Sequence, residues 1–297
     1  MISNHFFFYS YTLLGENMIK KYIKVIGLLF LVGFSFFYTE KVTKIVRQKD
    51  PIMIKINNIK KESSIDVIKP IINNDEYIMG INGCEIDIDK SYDKMKTVKE
   101  FKKELLVMKE VKNDYSLKDK YIVGANRLDK NMSLIFLIKD TINEDLINYL
   151  NKKKVEANFF VDHKFLEDNT NVIKFISENN NIYYLGDNLK YKEEYMIYSS
   201  NLIGINSNND SEFCLLENKD EDTLKLCSEY NMKTIKTNVI RDNILSNVKD
   251  ELVNGSIITI DSSDTEKVKV SINYILSKGY NITTLDKLLN SNKCNKK

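Results

Sequence analysis

A parallel α/β architecture, either a barrel or a doubly wound sheet, is predicted by three features of residues 131–290. Short β-branched and aromatic runs recur there, amphipathic segments at helical spacing separate them, and six or seven such repeats fit into about 160 residues. In either arrangement the chemistry belongs at the C-terminal ends of the strands.

The repeats read in order. "SLIFLIK" is a strand buried on both faces, "NEDLINYLNKKK" an amphipathic helix and "VEANFFVD" a second strand. "NTNVIKFISENN" is a helix that Asn169 or Thr170 caps. "NIYYLG" and "SEFCLLE" are strands, followed by the helix "DEDTLKLCSEYN", the strand "KTIKTNVI" and the helix "RDNILSNVKDELV". "GSIITID" adds a strand and "DTEKVKVSINYILSKG" a helix. "YNITTLDKLLN" closes the series with a strand and a helical turn. The "SSD" at Ser262 to Asp264 starts the helix after it. A nucleophilic serine there would lack both a G-x-S-x-G elbow and any histidine but His163.

The earlier part of the chain divides into segments. Residues 18–40 hold "YIKVIGLLFLVGFSFFY", preceded by Lys20 and Lys21 and followed by no small-residue cleavage site, which predicts an uncleaved membrane anchor. An early hydrophobic segment of this kind places the main domain outside the cell, although Lys41, Lys44, Arg47 and Lys49 follow it. Residues 1–17 are expected to be an untranslated or disordered leader, because "GEN" before Met18 fits a ribosome-binding sequence read as codons. Residues 41–75 are expected to be a charged linker, 76–130 a small accessory module and 291–297 a tail.

Composition removes several functions. The net charge of +2 is spread along the chain without a basic block, which excludes nucleic acid as a partner. Cys84, Cys214, Cys227 and Cys294 lack C-x-x-C spacing, so they are read first as buried or incidental thiols, with a Cys214–Cys227 disulfide as the alternative outside the cytoplasm. The chain has two histidines, His5 and His163, and His5 lies before the apolar segment. A site needing two histidines in one domain cannot be assembled.

"LINYLNKKKVEANFFVDHKFLEDNTNVIKFISENNNIYYLGDN" and "NVKDELVNGSIITIDSSDTEKVKVSINYILSKGYNITTLDKLL" resemble two segments of the polysaccharide deacetylase family, the NodB-homology carbohydrate esterases. The resemblance covers about residues 131–290 and implies a distorted (β/α) barrel. It also implies a zinc-type metal held by one aspartate and two histidines, an aspartate as general base and a histidine as general acid. This chain departs from that pattern at every matched position. Ile138 and Lys139 stand where the aspartate pair belongs, Asn188 and Lys192 replace the metal-binding histidines, Cys214 replaces an arginine, and Asp261 stands for the general acid.

No metal cofactor is therefore expected. Asp140, Asp187 and Asp261 are the remaining carboxylates, and Tyr184 and Tyr191 are candidates for stacking on sugar rings. His163 matches no ligand or acid/base position and is expected in a surface loop. The resemblance implies a membrane-anchored envelope protein with a degenerate site, binding or helping to modify an N-acetylated cell-wall glycan. The alternatives are a divergent deacetylase or hydrolase working through the residual carboxylates, and a structural protein that binds an envelope partner.

Overall fold

The computed structural model describes residues 4–113, 120–207, 209, 212–289 and 294, with side chains placed from residue 21 onward. The chain forms two compact units, Met1–Ser63 with Ile86–Val107, and Ser64–Glu85 with Met108–Lys297. The stretch 76–130 contributes to both units.

The first unit is helical, with α1 (Asn4–Gln48), α2 (Pro51–Ser63) and α3 (Ile88–Val98). Within α1, Lys21–Gln48 reaches a mean hydropathy of 1.7 over its most apolar window with none of that window buried, and Phe30 and Phe36 are each 74% exposed. By length and composition this helix is able to cross a membrane, a test that signal sequences also pass.

Residues 41–63, expected as linker, are largely helical. Pro51 opens α2, where its missing N–H costs nothing, and Asp50 Oδ1 accepts from the Ile52 amide at 2.8 Å. Met53 and Ile56 are buried one turn apart, Tyr92 donates to Asp50 Oδ2 at 2.8 Å, and the Arg47 guanidinium lies 4.5 Å from the Tyr92 ring centre.

The second unit begins with β1 (Ile71–Asn73), β2 (Glu76–Met79), β3 (Gly83–Ile86), β4 (Met108–Val111) and β5 (Tyr121–Ala125). The alternating part follows: β6 (Asn131–Ile138), α4 (Glu144–Lys153), β7 (Asn158–Val161), α5 (His163–Asp168), α6 (Thr170–Ser177), β8 (Asn181–Tyr184), α7 (Glu193–Asn206) and β9 (Phe213–Leu216). Then come α8 (Glu221–Glu229), β10 (Lys233–Lys236), β11 (Val239–Ile240), α9 (Ile244–Glu251), β12 (Ile257–Ile260), α10 (Thr265–Ser277), β13 (Asn281–Ile282) and α11 (Leu285–Leu289).

Two sheets carry the alternating strands. One has the order β11-β12-β6-β7-β8, parallel throughout, with β13 pairing the start of β6. The other has the order β1-β2-β5-β10-β9, parallel except between β1 and β2. Chain order would close β6 through β12 into a ring, but the described ladder is open at two seams. Between β8 and β9 the buried Tyr191 hydroxyl takes over, accepting from the Leu215 amide at 2.8 Å and donating to the Tyr184 carbonyl at 3.0 Å. Between β10 and β12, Thr237 Oγ1 donates to the Ile257 carbonyl at 3.1 Å. A hydroxyl at each seam satisfies backbone groups that would otherwise be buried without partners.

Strand alternation sorts the core into two clusters. Ile135, Phe160, Tyr183, Phe213, Ile235 and Ile257 come from both sheets and pack with Leu285 and Leu288 of α11. Leu134, Phe136, Phe159 and Ile258 belong instead to the cluster that includes helix residues such as Leu150, Ile173 and Ile272. Asn158 fixes the turn before α11: its Nδ2 donates to Ser133 Oγ at 2.7 Å and its Oδ1 accepts from the Leu285 amide at 2.9 Å. Ser133 Oγ donates on to the Thr283 carbonyl at 2.8 Å. These contacts hold α11 by the N-terminal parts of β6 and β7.

Both cysteine pairs are disulfides, which overturns the reading as incidental thiols. Cys214 of β9 joins Cys227 of α8 with S–S 2.06 Å, and Cys84 of β3 joins Cys294 across 210 residues. Asn169 sits at the N-cap of α6 but does not cap it; its Nδ2 donates to the Phe165 carbonyl at 3.1 Å.

Candidate functional site

The first residues beyond four parallel strands carry charge. Lys139 follows β6, Glu217 follows β9, Arg241 follows β11 and Asp261 follows β12. They form one chain of ion pairs. Lys139 Nζ lies 2.9 Å from Asp261 Oδ2, Arg241 Nε lies 3.5 Å from the same oxygen, and the Arg241 guanidinium meets both Glu217 oxygens at 2.8 Å. The Arg241 guanidinium beside Glu217 holds its carboxyl below the usual range. Two cations and two carboxylates thus neutralise one another at the strand ends, the place where the chemistry of a parallel α/β fold belongs.

Beside this chain opens a cleft of about 660 Å³ lined by Phe136, Lys139, Asp140, Asn143, Asp261 and Ser263, among others. Two helix starts border it. Asn143 caps α4 through the Leu146 amide at 3.2 Å and its Nδ2 contacts Thr265 Oγ1, while Asp264 caps α10 through the Lys267 amide at 3.1 Å. Ser262 Oγ accepts from the Asp264 amide at 3.2 Å, so the "SSD" serves the helix start as the sequence predicts.

Asp140 and Asp261 share this cleft, whereas Asp187 does not line it. Asp187 opens a two-residue turn, its amide donating to the Lys190 carbonyl at 2.8 Å and its carbonyl accepting from the Lys190 amide at 3.0 Å. Asn188 and Leu189 at the tip have φ of 49° and 68°, as a left-handed turn requires, and Gly186 has φ 81°. The Asn188 amide donates to Asp162 Oδ2 at 3.2 Å, and Leu189 packs on the cluster between the sheets. Lys192 Nζ lies 3.7 Å from Asp187 Oδ2, both side chains more than half exposed.

Zinc does not fit this arrangement. Among the described residues no group of three or more His, Cys, Asp or Glu is placed to hold a metal ion. At the end of β6 the Lys139 ammonium sits against Asp261. A dication brought there would meet a lysine in place of a ligand.

Other expected site residues turn out to be framework. Tyr184 and Tyr191 are 0% and 8% exposed, so neither ring presents a face to a sugar, and burial pushes both hydroxyl pKa values well up. Ile138 is buried at the end of β6, and Cys214 is consumed by its disulfide.

His163 is not in a surface loop; it begins α5 with its side chain 15% exposed. Its Nδ1 lies 3.0 Å from Ser199 Oγ, its ring centre 4.1 Å from that of Tyr195, and its Nε2 3.6 Å from Glu167 Oε1. Ser199 is 0% exposed, which keeps its hydroxyl from acting on any substrate. Glu217 and Arg241 escaped the sequence reading, although each immediately follows a strand, the signal that marks such positions.

The fold is similar to that of solved family 4 carbohydrate esterases, the CE4 polysaccharide deacetylases. The solved structure of wild-type BA3943 from Bacillus anthracis, described as a CE4 family pseudoenzyme, matches with a TM-score of 0.57 at 20% identity, over 82% of this chain and 96% of that one. A BA3943 mutant with restored enzymatic activity matches with a TM-score of 0.58, again at 20% identity, over 80% and 97%. The Bc1960 peptidoglycan N-acetylglucosamine deacetylase matches with a TM-score of 0.50 at 17% identity, over 57% of this chain and 92% of its own. At these identities the likeness is one of fold.

The span shared with the pseudoenzyme exceeds the whole stretch from Asn131 to Lys297, so it takes in part of the chain before β6. No family model matches the sequence, and no curated protein matches it.

Proposed function

We propose that this chain is a membrane-anchored, catalytically degenerate protein of the polysaccharide deacetylase type. In this reading it binds an N-acetylated cell-wall glycan, or helps a partner modify one, without hydrolysing the acetamide. The observation that carries the reading is the Lys139–Asp261 pair at 2.9 Å. Deacetylation needs a metal to polarise the carbonyl and lower the pKa of a water, and an acid to protonate the leaving amine. In this reading the Lys139 ammonium stands for a metal ligand and Asp261, beside two cations, for the general acid.

The two seamed sheets fit a distorted, opened version of the family's barrel, with residues 131–290 as the deacetylase-like domain. Asp140 and Asp261 are its remnant carboxylates, and the cleft beside them is the place for a sugar. Two disulfides, with no free cysteine among the described residues, favour an oxidising compartment. Together with the apolar α1, they support a single-pass anchor with the domain outside the membrane.

Two assays on the full chain in detergent test this. Incubation with purified cell-wall material is expected to retain the protein, and added zinc with an N-acetylglucosamine oligomer is expected to release no acetate. Acetate release would establish an active deacetylase; no retention on the wall would point to an envelope protein as partner.

A further inference from the structure

A second groove lies apart from the cleft at the strand ends and shares none of its residues. It has a volume of about 330 Å³, at the lower end of what small ligands occupy, and it follows the seam where β5 and β10 meet the start of β12. Its floor is backbone. Gly124 and Ser256 form an isolated bridge there, and a Cβ at Gly124 would stand 3.1 Å from the Gly255 carbonyl oxygen.

The groove combines polar and apolar lining. Ser256 is 9% exposed, and its Oγ is buried beneath the lining without a hydrogen-bond partner among the described residues. Asn238 Nδ2 donates to Glu251 Oε1 at 3.3 Å, and burial pushes the Glu251 carboxyl up. Asn254 adds a second carboxamide and Val253, 60% exposed, an apolar surface. The charges Lys236 and Glu76 pair with each other at 3.1 Å. Amide and carboxyl groups around an apolar side chain, with Lys236 and Glu76 paired to each other and Glu251 held by the Asn238 amide, suit a polyhydroxylated ring better than an anion.

We infer that this seam groove binds one pyranose ring of a neutral or N-acetylated saccharide, giving the protein a second point of attachment away from the degenerate cleft. The inference rests on the glycan-binding reading and extends it, because two weak sites on one polymer raise retention beyond either alone.

Hydrogen exchange of the full chain with triacetylchitotriose tests it. Protection is expected at Gly124–Ala125 and at Gly255–Ile257. Asn254→Ala and Glu251→Gln should each abolish that protection and weaken sugar binding about tenfold, as loss of a hydrogen bond to the ligand would. Asn254 is exposed and loses only its Nδ2 bond to the Leu128 carbonyl at 3.4 Å, so its replacement should leave the fold intact, and Asp140→Ala in the cleft should leave groove protection unchanged. Protection confined to residues 139–145 and 260–263 would overturn the groove while leaving the glycan reading standing. No protection anywhere, together with no retention on cell wall, would overturn both.

Discussion

Lys139 Nζ and Asp261 Oδ2, 122 positions apart in sequence, meet at 2.9 Å across the ends of β6 and β12, strands that are neighbours in the sheet. The pair is partly shielded, with the two side chains 33% and 21% exposed, and Arg241 approaches the same carboxylate oxygen. Lys139→Ala leaves Asp261 with Arg241 and should cost about 1 kcal/mol in urea unfolding. Asp261→Ala leaves Lys139 without its partner, while Arg241 keeps Glu217, and should cost about 2 kcal/mol. Equal costs for the two would show that the chain of ion pairs does not act as one unit.

Tyr191 stands in for strand pairing at the β8/β9 seam. Tyr191→Phe keeps the ring and removes the oxygen that the Leu215 amide donates to, so a buried N–H loses its partner. We expect a loss of about 2 kcal/mol in denaturant unfolding. Exchange of the Leu215 amide should quicken more than that of core amides in β6.

The Cys214–Cys227 bridge closes a short loop of sequence separation 13. Replacing both cysteines with alanine should lower stability by about 3 kcal/mol, read by thermal or denaturant unfolding. Free thiols in non-reduced native protein, counted by alkylation and mass spectrometry, would contradict the paired state.

Two carboxylates give opposite pH responses. Glu217, held below its usual value of 4.5 by Arg241, contributes stability that is present above that value and lost as pH falls through its folded value. Glu217→Gln should therefore flatten the acid limb of the stability curve below pH 4.5. Glu251, raised by burial from 4.5, contributes stability that is fully present below that value and lost as pH rises through its folded value. Glu251→Gln should remove that decline.

The sequence revealed those elements whose burial is one-sided or regular. Strands β6 through β9 and helices α4, α6, α8 and α10 follow from alternation and helical spacing. Helix α7 does not, because Ile197, Tyr198 and Ile205 sit on its exposed side while Met196 and Ile203 are buried, so no single apolar stripe stands out. The seams and the Cys84–Cys294 bridge are non-local, and nothing near either cysteine signals its partner. At the site, Lys139 and Asp261 are readable one by one as charged residues at strand ends, but their contact is not. Tyr184 and Tyr191 misled because aromatic residues suit both a glycan surface and the inside of a sheet; the hydroxyl bonds at the seam decide for the latter in Tyr191.

In the proposed function, Lys139 and its partners stand where polysaccharide deacetylases hold a metal. The most direct measurement is the zinc content of the purified full chain after equilibration with zinc and removal of the excess, read by elemental mass spectrometry beside Lys139→Asp. The account predicts well under one zinc per chain for the wild type and more metal for the variant, in which a carboxylate returns to the ligand position. One tightly held zinc per wild-type chain, lost on mutation of Asp140 or Asp261, would contradict it.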